Sequence, residues 1–186
     1  MAERTRRRRR TPPAAAGPST PVRAPKALGF YGFTVRDVMT RSVVTVGANE
    51  PLETAGRRMV EARVSGLPVT GADGALVGVI SQKDIFRRLT EDVGLTLPRG
   101  LFDLLLPSPR DGRTDTAEAC RRVLRGVSVR RAMTKPAVTI PPTTTLDDAV
   151  GILLTRRINR LPVVDGGRLV GIVTRHDLLT GVGTAP

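Results

Sequence analysis

The chain has 186 residues, 40% of them apolar and 25% charged, which is enough for one ordinary domain or two small ones around a shared core and too little for a large multidomain enzyme. One cysteine, Cys120, and one histidine, His176, exclude a C-x-x-C pair, a disulfide framework and a two-histidine zinc site. The net charge of +13 is uneven: Arg4, Arg6 to Arg10, Arg23 and Lys26 against Glu3 place about seven of those charges before residue 28, and the remainder is only moderately basic.

Residues 1–28 combine like charges with Pro, Ala, Ser and Gly and hold almost no large side chains to offset the entropy of ordering, so a disordered basic tail is expected there. No stretch of the chain approaches the ~20 apolar residues of a membrane helix, and no apolar signal core follows the arginine run. A cytoplasmic protein with no membrane association is the expectation.

An internal repeat fixes the architecture. Residues 34 to 46 read TVRDVMTRSVVTV and residues 128 to 140 read SVRRAMTKPAVTI. The correspondence continues through Leu67-Pro68-Val69 and Leu161-Pro162-Val163 and, after one deletion, through LVGVISQKD and LVGIVTRHD.

In each copy a β-branched strand, Val43 to Val46 or Ala137 to Ile140, is predicted to end at a breaker before a helix that opens at Pro51 or near Thr145. Leu146, Ala149, Val150, Leu153 and Leu154 fall on one helical stripe, and Leu52, Ala55, Met59 and Val60 form a weaker one. Two strands follow, Leu67 to Thr70 and Leu76 to Ile80, with their counterparts joined through Asp165-Gly166-Gly167, a hairpin signal. A last helix starts at Ser81 or Thr174. The fold class is therefore α/β, with two β-α-β-β-α units, each too small to bury its sheet alone, packed as a pseudo-twofold pair. The predicted divisions are a tail (1–28), repeat 1 (29–89), an inserted linker with short helices (90–127) and repeat 2 (128–182).

Asp37-Val38-Met39-Thr40, the paired Leu-Pro-Val strands and the two G-x-x-[ST]-x-x-D endings, Gly78 to Asp84 and Gly171 to Asp177, resemble the cystathionine-β-synthase (CBS) domain, and two copies in tandem resemble a CBS pair or Bateman module. In that family S/T-x-x-D is the usual ribose-binding element. The resemblance therefore implies ligand contacts from Ser81 and Asp84 and from Thr174 and Asp177. Read on its own, the same pattern is a capping box, in which hydroxyl and acid satisfy backbone N–H donors at a helix start.

The resemblance further implies a basic residue before the first hairpin strand for phosphate. Asn159-Arg160 supplies it in repeat 2, where repeat 1 has Ser65-Gly66, and the implied pairing joins Arg160 to Asp84 across the repeats. Lys83, Arg175 and His176 stand within the two motifs as phosphate contacts or as solvated helix-start residues. Two unequal sites follow, with the tighter or more anionic ligand at the cleft that uses Asp84 and Arg160. Val43, Val44, Ala137, Val138, Pro68 and Pro162 are the apolar residues available to a base, although any fold would bury such residues. The implied ligand is AMP, ADP, ATP or S-adenosylmethionine, with no obligatory cofactor and no metal.

Within the linker, Leu101 to Leu106 is too apolar to be left in water and is expected to dock on the module or on a partner, and Asp115-Thr116-Ala117-Glu118 reads as a capping box for a helix carrying Arg121, Arg122 and Leu124. Cys120 on that helix reads as packing. No nucleophile and base can be assembled, so a regulatory ligand-binding module, not an enzyme, is the reading. Its expected partners are a second copy in a homodimer and an effector protein. The alternative is a nucleic-acid binding protein that uses the arginine-rich tail and the basic linker.

Overall fold

The computed structural model describes residues 32–93 and 115–183, and within them each repeat builds its elements from the same local signals. Thr34 caps a one-turn helix, α1 (Val35–Val38). A two-residue strand, β1 (Val46–Gly47), leads through Pro51 at the N-cap, its φ of −63° already suited to a helix, into α2 (Leu52–Glu61). The hairpin β2 (Gly66–Thr70) and β3 (Leu76–Ser81) follows, and then α3 (Gln82–Val93). Helix α4 (Asp115–Gly126) precedes the second repeat, which consists of α5 (Val129–Ala132), α6 (Leu146–Thr155), the hairpin β4 (Arg160–Asp165) and β5 (Arg168–Thr174), and α7 (Arg175–Gly183). The chain is a mixed α/β protein of two repeats, the first with a three-stranded sheet, β1-β2-β3, and the second with a two-stranded one, β4-β5.

Both predicted opening strands are shorter than expected. Val43 to Thr45 lie outside any strand, and pairing begins at Val46, parallel to Val69 of β2. In repeat 2 only Ile140 pairs, in a single parallel bridge to Val163. The reason lies upstream. Thr40 and Ile172 exchange backbone hydrogen bonds of 3.0 Å, and Thr134 and Val79 do the same at 2.9 and 3.0 Å. Each opening segment is thus pinned to the other repeat at its start and reaches its own hairpin only at its end, so the residues between cannot hold a ladder.

The short helices complete this exchange. The Val35 N–H donates to the Thr144 carbonyl at 2.8 Å and the Arg36 N–H to that of Pro142 at 3.0 Å, while Val129 and Arg130 donate to Glu50 and Ala48 at 2.8 Å. Val35 is buried with Leu146, Leu153, Leu161 and Val173 of repeat 2, and Val129 with Leu52, Met59, Leu67 and Ile80 of repeat 1. Met39 lies over Gly171 and Met133 over Gly78. A Cβ at either glycine would stand 2.5 or 2.8 Å from the methionine sulfur, which explains the glycine in both G-x-x-[ST]-x-x-D endings.

Of the predicted stripes, α6 buries Leu146, Ala149 and Leu153, and α2 buries Leu52, Ala55 and Met59. Leu154 remains 58% exposed. Helix α4 packs on α2 and α3 and adds Cys120 and Leu124 to the core of repeat 1, with Arg125 Nε 3.1 Å from Glu53 Oε1 on α2. Full burial of one such leucine contributes about 1.5–3 kcal/mol, so α4 belongs energetically to repeat 1. The tail and Leu101 to Leu106 lie outside the described residues. Among the described residues no helix is long and apolar enough to cross a membrane.

Candidate functional site

The two S/T-x-x-D motifs fold as caps. Ser81 donates to Asp84 Oδ2 from its backbone N–H at 2.9 Å and from its hydroxyl at 2.6 Å, and the Asp84 N–H lies 3.4 Å from the same hydroxyl. Thr174 and Asp177 repeat the arrangement at 2.7, 2.8 and 3.4 Å. Thr34 with Asp37 and Thr145 with Asp148 make related contacts at other helix starts. In this chain the motif is first a helix-initiating device, because each cap supplies acceptors to backbone N–H groups that the helix leaves open. Position decides what else it can do.

The two carboxylates differ in position. Asp84 is buried, with Arg87 on its other oxygen at 3.0 Å. Asp177 is half-buried and lines a cleft of about 570 Å³ between the repeats. The floor and walls of that cleft come from four places. Thr40 and Ser42 to Val44 arrive on the crossing segment, Ala62 to Pro68 come from the end of α2 and the start of β2, Asn159 and Arg160 from the start of β4, and Ile172 with Thr174 to Asp177 from β5 and its junction with α7. The arm exchange therefore builds the cleft, since it carries Val44 of repeat 1 to the carboxylate of repeat 2.

Arg160 stands at the centre. Its backbone on β4 is the register partner of Thr174, the residue that caps Asp177. Its guanidinium reaches the other repeat, where it donates to Ser65 Oγ at 2.6 Å and fills the space in which a Cβ of Gly66 would overlap it. Burial lowers the Arg160 pKa from its ordinary value, and the Asp84 carboxylate opposes that shift. The guanidinium is thus drawn partly out of water with a carboxylate nearby.

Of the predicted site residues, Val44, Pro68, Asn159, Arg160, Thr174, Arg175, His176 and Asp177 line this cleft. Ser81, Lys83, Asp84, Val138 and Pro162 do not line it. Arg160, joined to Asp84 by the family resemblance, lines the cleft of Asp177 while lying close enough to Asp84 to feel its charge. Thr40, Ser42, Ile172 and Arg63 are lining residues that the sequence reading missed. Arg63 follows Ala62, the C-cap of α2, with φ of 54°, and Arg157 follows Arg156, the C-cap of α6, with φ of 53°. Left-handed backbone at a bulky residue is costly and usually has a local reason, but it leaves no trace in apolar periodicity. The only available signal was that both repeats carry arginine there.

With Asp177, Thr174, Arg160, Arg175 and His176 on polar walls and Val43, Val44 and Pro68 on apolar ones, the cleft offers a sugar-type acceptor, several cations and a flat greasy surface. Comparison with known proteins places the fold. A protein of Methanocaldococcus jannaschii, MJ1426, is 35% identical over 150 residues that span 78% of this chain and 88% of its own. Among solved structures, the CBS domain of a CBS domain-containing membrane protein from Sphaerobacter thermophilus superposes with a TM-score of 0.64 at 30% identity, covering 79% of this chain and 86% of that one. CBSX2 in complex with AMP superposes at 0.61 and 29% identity, covering 81% and 97%; the CBSX2 sequence of Arabidopsis thaliana is longer, and this chain spans 63% of it. The CBS domain family model matches residues 35–91 and again 129–183, so this chain belongs to the CBS domain family and carries two copies in tandem.

Proposed function

We propose that the chain is a regulatory module that binds an adenine nucleotide or adenosyl compound in the cleft between its repeats and passes the binding on as a change in repeat geometry. The observation that carries this reading is the cleft at Asp177, where an acidic cap, the Arg160 guanidinium and the Val43–Val44 wall face one space. The AMP complex of CBSX2, at 29% identity, supports the same ligand class. In this reading Asp177 accepts from the ribose hydroxyls, Arg160, Arg175 and His176 meet phosphate, and Val44 and Pro68 flank the base. Ser81, Lys83, Asp84, Val138 and Pro162 hold the equivalent roles at a second site.

The mechanism assigns no reaction. Wall residues of the cleft come from both repeats, so a ligand that prefers one relative angle shifts the population toward it by its difference in affinity. Residues 29–89 and 128–182 serve as the two repeats and 90–127 as the connection, with output to a second copy of the chain and to a cytoplasmic effector protein. The test is calorimetric titration and thermal shift with AMP, ADP, ATP and S-adenosylmethionine on the full chain and on Asp177→Ala. Ligands of the folded form raise the melting temperature. Binding by the wild type and its loss in Asp177→Ala supports the reading, whereas no shift with any of these compounds defeats it.

A second reading, polyanion binding, is favoured by the exposed Arg122, Arg125, Arg130 and Arg131 along α4 and α5. Arg125 is already paired with Glu53, which reduces the net charge of this surface, while Arg130 donates to the neutral Asn49 amide and keeps its charge. Binding to a single-stranded oligonucleotide that collapses with rising salt is its signature.

A further inference from the structure

We propose that the chain's own Phe30 and Tyr31 cover the outer face of α6 and α7, in the place that α4 takes on repeat 1.

Helix α4 shows what this place is. It stands on α2 and α3, and its Arg125 pairs with Glu53, so the face of α2 that it covers runs through Glu53, Gly56 and Val60. Gly56 is buried and Val60 half-buried there. Repeat 2 carries Asp147, Val150 and Leu154 at these positions. Among the described residues no helix stands on α6 and α7 as α4 stands on α2 and α3. Val150 is only partly buried and Leu154 is 58% exposed. One exposed leucine is ordinary and means nothing without a second observation.

The backbone supplies it. Helix α4 runs into Val127, whose carbonyl accepts the N–H of Leu52, the first residue of α2, at 2.9 Å. In repeat 2 the Phe33 carbonyl accepts the N–H of Leu146, the first residue of α6, at 3.3 Å. The chain that ends in Phe33 thus meets α6 as the chain that ends in Val127 meets α2. In the same alignment Phe30 corresponds to Leu124, a core residue of repeat 1, and Tyr31 to Arg125.

The occupant has the right chemistry and reach. Pro25 and Gly29 disfavour a helix as long as α4, so the cover is short and needs large side chains. Phe30, Tyr31 and Phe33 provide them, in a chain that has only four phenylalanines and one tyrosine. Each such ring buries about 150–250 Å². From Leu146 to Leu154 the helix rises about 12 Å, which three extended residues of about 10 Å and an aromatic ring span. The segment continues into the arm that carries Val35 and then the cleft residues Thr40 and Ser42 to Val44, so this cover anchors one end of the crossing arm.

Tyr31 reports on the contact directly, because it is the only tyrosine and the chain has no tryptophan. Acrylamide quenching of its fluorescence in the full chain is expected to be several-fold weaker in the native protein than in denaturant. Leu154→Gln keeps a good helix former and removes the apolar partner. It is expected to bring quenching toward the denatured level while the far-UV circular dichroism stays unchanged. Phe30→Ser should do the same, and serves if the α6 variant does not fold. The double variant should melt no lower than the less stable single one. Native quenching equal to that in denaturant, a Leu154→Gln protein whose Tyr31 stays protected, or strictly additive losses of melting temperature overturns the proposal. Protection that vanishes on dilution also overturns it, by giving the face to a second copy of the chain.

Discussion

Val35 and Val129 occupy equivalent places in the two repeats, and each is fully buried in the core of the repeat to which it is not contiguous. The module is therefore held together by exchanged arms as well as by surface contact. Val35→Ala is expected to cost about 1–3 kcal/mol from lost burial and the cavity left behind. The loss should be felt in the other repeat. Hydrogen exchange should show faster exchange of amides in α6 and β4 than in α2 and β2, and Val129→Ala should show the reverse. Loss of protection confined to the repeat that carries the mutation would contradict the exchange.

Gly66 and Arg160 form a small-to-large pair across the pseudo-twofold. A Cβ at Gly66 would overlap the guanidinium and stand 2.6 Å from the Ile80 carbonyl oxygen, so Gly66→Ala is expected to destabilise by about 1–3 kcal/mol, read from denaturant unfolding. Part of that clash is with Arg160. In a double-mutant cycle with Arg160→Ala the two losses should fall short of additivity by at least about 0.5 kcal/mol. Strict additivity would mean that the backbone contact alone accounts for the effect.

The Thr34 cap gives a prediction in pH. The backbone N–H and then the hydroxyl of Thr34 hold the Asp37 carboxyl below its ordinary value of 3.8. A carboxyl depressed on folding stabilises the protein above its unfolded value and loses that contribution as pH falls through the folded one. Melting temperatures of wild type and Asp37→Asn should therefore differ at neutral pH and converge as the solution is taken below about pH 4. A gap that is constant with pH would assign the stability to something other than this charge.

Cys120 is 1% exposed in the core that α4 shares with repeat 1, and burial raises its thiol pKa. Both effects oppose thiolate chemistry. Labelling by a thiol reagent at neutral pH is expected to be slow in the native protein and fast in denaturant, with native labelling tracking the opening of α4. Leu124→Ala, which loosens the same contact, should accelerate it. Rapid labelling of the untouched native protein would remove α4 from the core.

Much of this protein was legible before any fold was seen. The duplication, the hairpins and the helices at Pro51 and Thr145 came from signals that act within about ten residues: alternation, a helical stripe, a turn and a cap. The capping groups at Ser81 and Thr174 were equally readable. Where the sequence misled was in Val43 to Val46, whose β-branched run looks like a strand and serves mainly as a crossing segment, because the chain just before it is pinned at Thr40 to Ile172 of the other repeat. Arg63 was missed because an exposed arginine after a helix carries no apolar pattern, and its one signal was the matching Arg157 in the other repeat.

The sequence alone determined the repeat unit, its order of elements and the existence of two acidic caps, since these follow from local backbone hydrogen bonding and from which side chains avoid water. Only the tertiary structure decided that the arms cross, that the carboxylate of Asp177 opens on a cleft while that of Asp84 is buried against Arg87, and that Arg160 lies between them. Those outcomes depend on contacts between residues in opposite halves of the chain. Such contacts are selected by how two nearly identical units fit together, and a difference as small as Gly66 against Arg160 is enough to make the two sides unequal.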